Sequence, residues 1–307
     1  MQYIDTLQDK LEFAGWQSDS FNHKHGLGRI GLTGFLLGTT LGLHLCLLLM
    51  ALLVDPSALP FGGKDNNHTL IQWSLYMVAL SGFHFGEFLN TALFKADVVN
   101  YDSFVVNHSK SYTIAALASW TEFWLEAWFK PFGLPKFRAL FFVAGMLLVA
   151  AGQILRALAM YTCGPNFAHQ IMERRANGHR LVTHGVYSKL RHPSYTGWFW
   201  WCVGTQLLLC NPLCVCAYAL AAWDFFRHRI PYEEALLAKF YPNEYPKYVA
   251  RTYVGIPFVP VTPFPVGGGA GGGGGGGSPV GSGSGGGGGG DDGDGARERL
   301  LRREDHD

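Results

Sequence analysis

HRLVTHGVYSKLRHPSYTGWFWWCVGTQLLLCNPLCVCAYALAAWDFFRHRIPYEE, residues 179–234, sets the architecture. A basic, histidine-containing loop leads to Arg191-His192-Pro193. Two apolar runs follow, 193–209 and 212–227, broken at Asn211-Pro212. Each is about 17 residues, or ~25 Å as a helix, which just crosses the hydrocarbon of a bilayer. They read as a helical hairpin. Its second arm ends in Arg227, Arg229, Glu233 and Glu234, so chargeable groups stand at both mouths of an apolar pair. Such a site can face water and lipid together.

Composition agrees. Of 307 residues, 48% are hydrophobic and only 15% charged, against about 25% charged in soluble domains. A net charge of +1 draws the chain neither to nucleic acid nor to anionic surfaces. The six cysteines form no CxxC pair and no zinc-type Cys/His spacing, and they read as buried, reduced thiols. No cleavable signal sequence precedes the first apolar run, so that run itself is expected to direct insertion.

Outward from the hairpin, four more apolar runs cover 29–54, 69–94, 112–128 and 137–161. The fold class expected is all-α: a polytopic membrane protein of about six transmembrane helices. Residues 1–27 form a cytosolic segment with a short helix near 3–13. Residues 28–162 hold four helices. Residues 163–260 hold the site loop, the hairpin and, over 232–249, an interfacial amphipathic helix begun by Pro231. Residues 261–307, rich in glycine, cannot bury a core and are expected to be disordered. Lys24, Arg29, Lys95, Lys110 and the basic loop at 174–191 place both ends in the cytosol. The basic connector 130–138 then falls on the lumenal side, against the rule. The glycosylation sequons at Asn67 and Asn107 fall on opposite sides and decide nothing.

Several residues carry two readings each. Glu87, costly at membrane depth, either bonds a neighbouring helix or lines a cavity. Arg156 either snorkels to the interface or faces a cavity and holds an anion. Arg229 and Glu233 share a face if the helix runs through Pro231, and otherwise Glu233 belongs to a new helix N-terminus. Trp198 to Trp201 suits an interfacial belt, a core, or a cation held by ring faces. No glycine-rich nucleotide loop and no Ser/His/Asp set stands out.

At these residues the chain resembles the isoprenylcysteine carboxyl methyltransferases, membrane enzymes that methylate prenylated C-terminal cysteines. The likeness runs over residues 81–259. It includes Asp102-Ser103-Phe104, Asn107-His108-Ser109, Asn166-Phe167 with His169, Leu181-Val182-Thr183 and Gly185-Val186-Tyr187. It continues through Arg191-His192-Pro193-Ser194-Tyr195, Gly204-Thr205-Gln206, Asn211-Pro212, Phe225-Phe226-Arg227 and Glu233-Glu234. Order and spacing together make it specific.

The resemblance implies S-adenosylmethionine as methyl donor and an endoplasmic reticulum membrane address with a cytosol-facing site. The implied acceptors are prenylated CaaX proteins of the small GTPase type after removal of their last three residues. The implied donor pocket falls on Met172, His179, Arg180, Leu181, Val182, Tyr187, His192, Pro193, Ser194, Tyr195 and Glu233. The family can carry Gln where this chain has Met172. The substrate-facing arginine falls on Arg229, and Arg156 is a second candidate for the acceptor carboxylate. Animal members often have eight spans where this chain shows six. Two other classes stay open: a sterol-type membrane reductase, whose C-terminal hairpin is similar, and a non-catalytic prenyl-lipid binder.

Overall fold

Each apolar run folds as a helix, because in lipid a backbone must satisfy its own polar groups. The computed structural model describes residues 19–54, 64–106, 109–129, 135–175 and 178–259. The lead-in helix expected near 3–13, the sequon pair Asn107-His108, most of the 130–138 connector and the glycine tail lie outside them. Among the described residues six long helices follow one another: α1 (Leu27–Leu53), α2 (Lys64–Phe94), α3 (Lys110–Phe129), α4 (Pro135–Cys163), α5 (Pro193–Leu209) and α6 (Pro212–Phe240). A one-turn helix, α7 (Tyr245–Val249), comes last. Among the described residues there is no named strand, only an isolated parallel bridge between Leu190 and Tyr253.

By length and composition, α1 and the α4 region could each cross a membrane alone. The other four long helices carry more polar residues and bury several of them inside the protein, Gln72, His84, Glu87, Ser119, Gln206 and Glu234 included. On α4, Leu140, Val143, Leu147, Ile154 and Leu158 are exposed along one face. On α1, Leu32, Phe35, Leu36, Leu43 and Leu49 are exposed likewise. An apolar exterior this extended suits lipid rather than water.

Helix α5 is the centre, with thirteen of its 17 residues buried. It lies against α4 at backbone contact, through glycines spaced two helical turns apart on each. A Cβ on Gly197 would meet the Gly152 carbonyl oxygen at 2.7 Å and the Arg156 nitrogen at 2.8 Å. One on Gly204 would meet the Val149 nitrogen at 2.8 Å, and one on Gly145 would overlap the Leu208 backbone. Small residues let helices close this far and gain dispersion contacts that lipid cannot match.

The hairpin turn is tied down from outside. Cys210 takes a left-handed conformation (φ 57°), and Asn211 is fully buried. The Asn211 amide donates to Ser119 O (2.9 Å) and Gln206 Oε1 (3.1 Å). Glu122 of α3 accepts from the first free N–H groups of α6, Leu213 and Cys214, both at 2.7 Å. An anion there also meets the positive end of the helix dipole.

Four expectations change. Helix α2 begins at Lys64, so residues 64–68, expected in a loop, are helical. Pro231 does not start a helix; it lies inside α6, which runs 29 residues. At 1.5 Å per residue that is ~44 Å, longer than the ~30 Å of a hydrocarbon core, and it carries Arg229 and Glu233 on one rod. Consequently residues 232–249 are not a separate interfacial helix. They end α6, turn, and bury Tyr241, Tyr245 and Tyr248 in a cluster with Leu181 and Leu237. The tryptophan run packs as core: Trp201 stacks on Phe83 with centroids 4.3 Å apart. All six cysteines are free; Cys202 and Cys214 are buried as expected, but Cys46 and Cys216 are exposed.

The glycine seam gives a direct check. Gly197→Ala should lower the thermal midpoint of the detergent-solubilised protein, at about 1–3 kcal/mol for overpacking. Gly38→Ala, where a Cβ meets nothing within 4 Å, should leave it unchanged or raise it. Equal tolerance at both positions would contradict the seam.

Candidate active site

Where α4, α5 and α6 end on one side, the loop after α4 folds over them and encloses a pocket. Its lining includes His179, Arg180, Leu181, Val182, Tyr187, His192, Pro193, Ser194, Tyr195 and Glu233. So ten of the eleven residues expected to hold the donor come together, from the loop, the first turn of α5 and the far end of α6. Met172 lies in the same loop but does not line the pocket. Asn166, Arg191, Leu237, Tyr245 and Tyr248 line it without having been expected.

Behind the lining residues Arg191 and His192 lies a buried carboxylate. Glu234 is fully buried, accepts from Arg191 Nε at 2.5 Å and lies 3.2 Å from His192 Nε2. Arg191 also donates Nη1 to Thr252 O at 2.6 Å, which straps the C-terminal segment across the start of α5. Thr196 adds a bond to Val254 O at 2.7 Å. Burial pushes the Glu234 carboxyl up, but the bond and charge of His192 and those of Arg191 outweigh it and hold it below the ordinary carboxylate range.

The wall is aromatic. His192 and Tyr195 stack nearly parallel, 2° apart with centroids at 5.5 Å. On the loop side, His179 Nδ1 lies 2.8 Å from the Tyr241 hydroxyl. Burial lowers the His179 pKa, which favours the neutral ring. The Tyr248 hydroxyl donates to Tyr187 O at 2.7 Å, and the Arg180 N–H donates to Asn166 Oδ1 at 3.2 Å.

Arg229 stands just beyond this lining. Because α6 is continuous, Arg229 and Glu233 share its inner face, and Tyr195 joins them. The Tyr195 hydroxyl donates to Glu233 Oε2 (2.7 Å) and accepts from Arg229 Nε (3.1 Å). Arg229 Nη2 donates to His169 O at 2.6 Å. Half-buried, its guanidinium lies 5.6 Å from the Tyr195 ring centroid and 5.4 Å from that of Phe225.

Arg156, expected as a second hand for a carboxylate, is placed otherwise. It donates Nε and Nη2 to the two oxygens of Glu87 (2.5 and 2.7 Å) and Nη1 to Ser194 Oγ (3.0 Å). Its charge is matched by a carboxylate as buried as itself, 2% against 8% side-chain exposure. It therefore props Ser194 rather than reaching for a ligand. Glu87 takes the neighbour-bonded reading.

The comparisons bear on this pocket. A sequence profile of the isoprenylcysteine carboxyl methyltransferase family matches residues 144–239. A protein-S-isoprenylcysteine O-methyltransferase of Tribolium castaneum is 44% identical over 220 residues, 71% of this chain and 73% of the relative. The chain belongs to the isoprenylcysteine carboxyl methyltransferase family. It is therefore a membrane methyltransferase. The Homo sapiens relative is 48% identical over 184 residues, 60% of this chain and 64% of its own length. The Saccharomyces cerevisiae relative is 36% identical over 240 residues, 93% of its length. A solved structure of a eukaryotic intramembrane Ras methyltransferase of this family superposes with a TM-score of 0.61 at 41% identity, covering 71% of this chain and 74% of that one.

Of the residues not foreseen, Arg191 and Glu234 lay inside motifs already noted, and only their mutual bond was hidden. Asn166 also sat in a noted motif. Tyr245 and Tyr248 follow Tyr241 at helical spacing, which marks a shared face but not the pocket it lines.

Glu234→Gln should destabilise the solubilised protein at pH 7, by about 3–5 kcal/mol if the buried arginine is left unpaired. A depressed folded pKa adds stability above the unfolded value of ~4.3, lost as pH falls through the folded value. The gap between wild type and variant should thus be full above that range and shrink below it. A gap independent of pH would refute the ionised reading of Glu234.

Proposed function

We propose that the protein methyl-esterifies the C-terminal α-carboxylate of S-farnesyl or S-geranylgeranyl cysteine in processed CaaX proteins of the small GTPase type. S-adenosylmethionine is the donor. The chain crosses the endoplasmic reticulum membrane six times, with its site at the cytosolic edge. One observation carries the reading: the Tyr195 hydroxyl bonds both Glu233, in the pocket lining, and Arg229, at its edge. A donor seat and a cation for the acceptor are thus joined through a single phenol.

The residues fit such a donor. Apolar Leu181, Val182 and Leu237, with the His192–Tyr195 stack, suit a purine. Glu233 suits an amine or ribose hydroxyls. Arg191 Nη2, buried and without a hydrogen-bond partner among the described residues, suits an anionic end. When bound, the sulfonium supplies an electrophilic methyl, whose bond to sulfur breaks as the ester C–O bond forms.

The chain's own task is modest in proton chemistry. An α-carboxylate has a reference pKa of ~3.5 and is ionised at pH 7, so no general base is required. Arg229 holds and orients it by charge-assisted bonds. Proximity and loss of water then supply most of the acceleration. Charge disappears as the ester forms, so a grip on both oxygens would favour the ground state and slow the reaction. Arg229, with Tyr195 and His169 already holding two of its donors, is suited to a partial grip. Glu233 sits on the donor side, where it fixes the donor without neutralising the reacting sulfur.

Arg229→Ala should lower kcat/KM for a farnesylated cysteine analogue at least about 10-fold, the weight of a charged hydrogen bond, with insertion unchanged. Near-normal transfer of labelled methyl would refute its role. Glu233→Ala should raise the donor KM while leaving the acceptor KM largely unchanged. The same labelled-methyl assay separates this activity from a reductase or a lipid binder.

A further inference from the structure

We infer that His169, held by the buried carboxylate of Glu87, is the positioning residue for Arg229. The inference rests on Arg229 being the acceptor's arginine. His169 lies in the loop after α4, between elements that touch nowhere near it in sequence. Its ring Nε2 is 2.8 Å from Glu87 Oε2, with Glu87 only 2% exposed. Its main-chain oxygen accepts Arg229 Nη2 at 2.6 Å. The Phe167 ring meets the His169 ring edge-on at 5.2 Å, which limits its swing.

The chain of contacts is short and directional. Glu87 cannot shift, because Arg156 binds both of its oxygens and Arg156 is pinned at the glycine seam between α4 and α5. The seam therefore fixes Glu87, Glu87 fixes the His169 ring, and the ring fixes where the loop carbonyl stands. That carbonyl sets one guanidinium nitrogen, and Tyr195 sets another. With two donors held, the orientation of the guanidinium is set. Without the ring anchor, residue 169 keeps its carbonyl but not its place. On the other arm, Arg156 reaches Ser194 in the donor pocket. One buried carboxylate thus registers the two halves of the site.

Binding distinguishes positioning from general support. The full chain, in nanodiscs with S-adenosylhomocysteine, is titrated with N-acetyl-S-farnesylcysteine and with its methyl ester, which lacks the anionic group. Wild type should prefer the carboxylate. His169→Ala should lose affinity for the carboxylate about 10-fold while the ester and the spent donor bind as before. His169→Gln, whose amide can still donate to Glu87, should recover much of the loss. Equal weakening of carboxylate and ester, or no change in either, overturns the proposal. So does an Arg229→Ala variant that keeps the carboxylate preference, and in that case the role of Arg229 falls with it. If Arg229→Ala abolishes the preference and His169→Ala does not, the role of Arg229 stands and only the positioning role falls.

Discussion

Backbone contact between α4 and α5 is the constraint on which the site depends. Side chains longer than hydrogen at Gly152 or Gly197 would hold the two helices apart. Only at this distance does Arg156, one turn along α4 from Gly152, reach both Ser194 at the start of α5 and Glu87 on α2. The first turn of α5 also carries Tyr195, whose phenol faces the far end of α6. A packing contact between apolar helices therefore sets the spacing of polar groups at their ends.

Two buried carboxylates carry the polar side of this arrangement. Glu87 meets Arg156 and His169, and Glu234 meets Arg191 and His192. Removing such charges from water costs several kcal/mol each, so neither pair is a cheap source of stability. What each pair supplies is direction. The Glu87 group joins α2, α4, α5 and the site loop. The Glu234 group joins α6, the residues leading into α5 and, through Thr252, the C-terminal strap. Glu122, capping α6 at the opposite end, completes the fixation of the hairpin.

Much of this was legible before any coordinates. Apolar runs gave the helices, and Asn211-Pro212 gave the turn, since both signals are local. Ten of the eleven residues that the resemblance implies meet in one pocket, because its motifs lie where the chain leaves the apolar runs. Other features depend on partners distant in sequence. A proline reads as a helix start, yet Pro231 sits within α6, where tertiary packing of Ile230 and Glu234, both fully buried, holds the helix through it. Arg156 was ambiguous because nothing near it in sequence reveals Glu87. The glycines of the seam matter only as pairs across two helices, and the tyrosines at 241, 245 and 248 keep the spacing of one helical face without revealing what that face packs on. Met172 is near the pocket along the chain and outside its lining in space.

The most direct measurement is an experimental structure of the full protein with S-adenosylhomocysteine and S-farnesylcysteine bound together in a bilayer mimic. The account predicts the spent donor against Glu233 and the His192–Tyr195 stack, the acceptor carboxylate within hydrogen-bonding distance of the Arg229 guanidinium, and the farnesyl chain leading sideways to lipid. A carboxylate bound elsewhere, with Arg229 turned to bulk solvent, would contradict it.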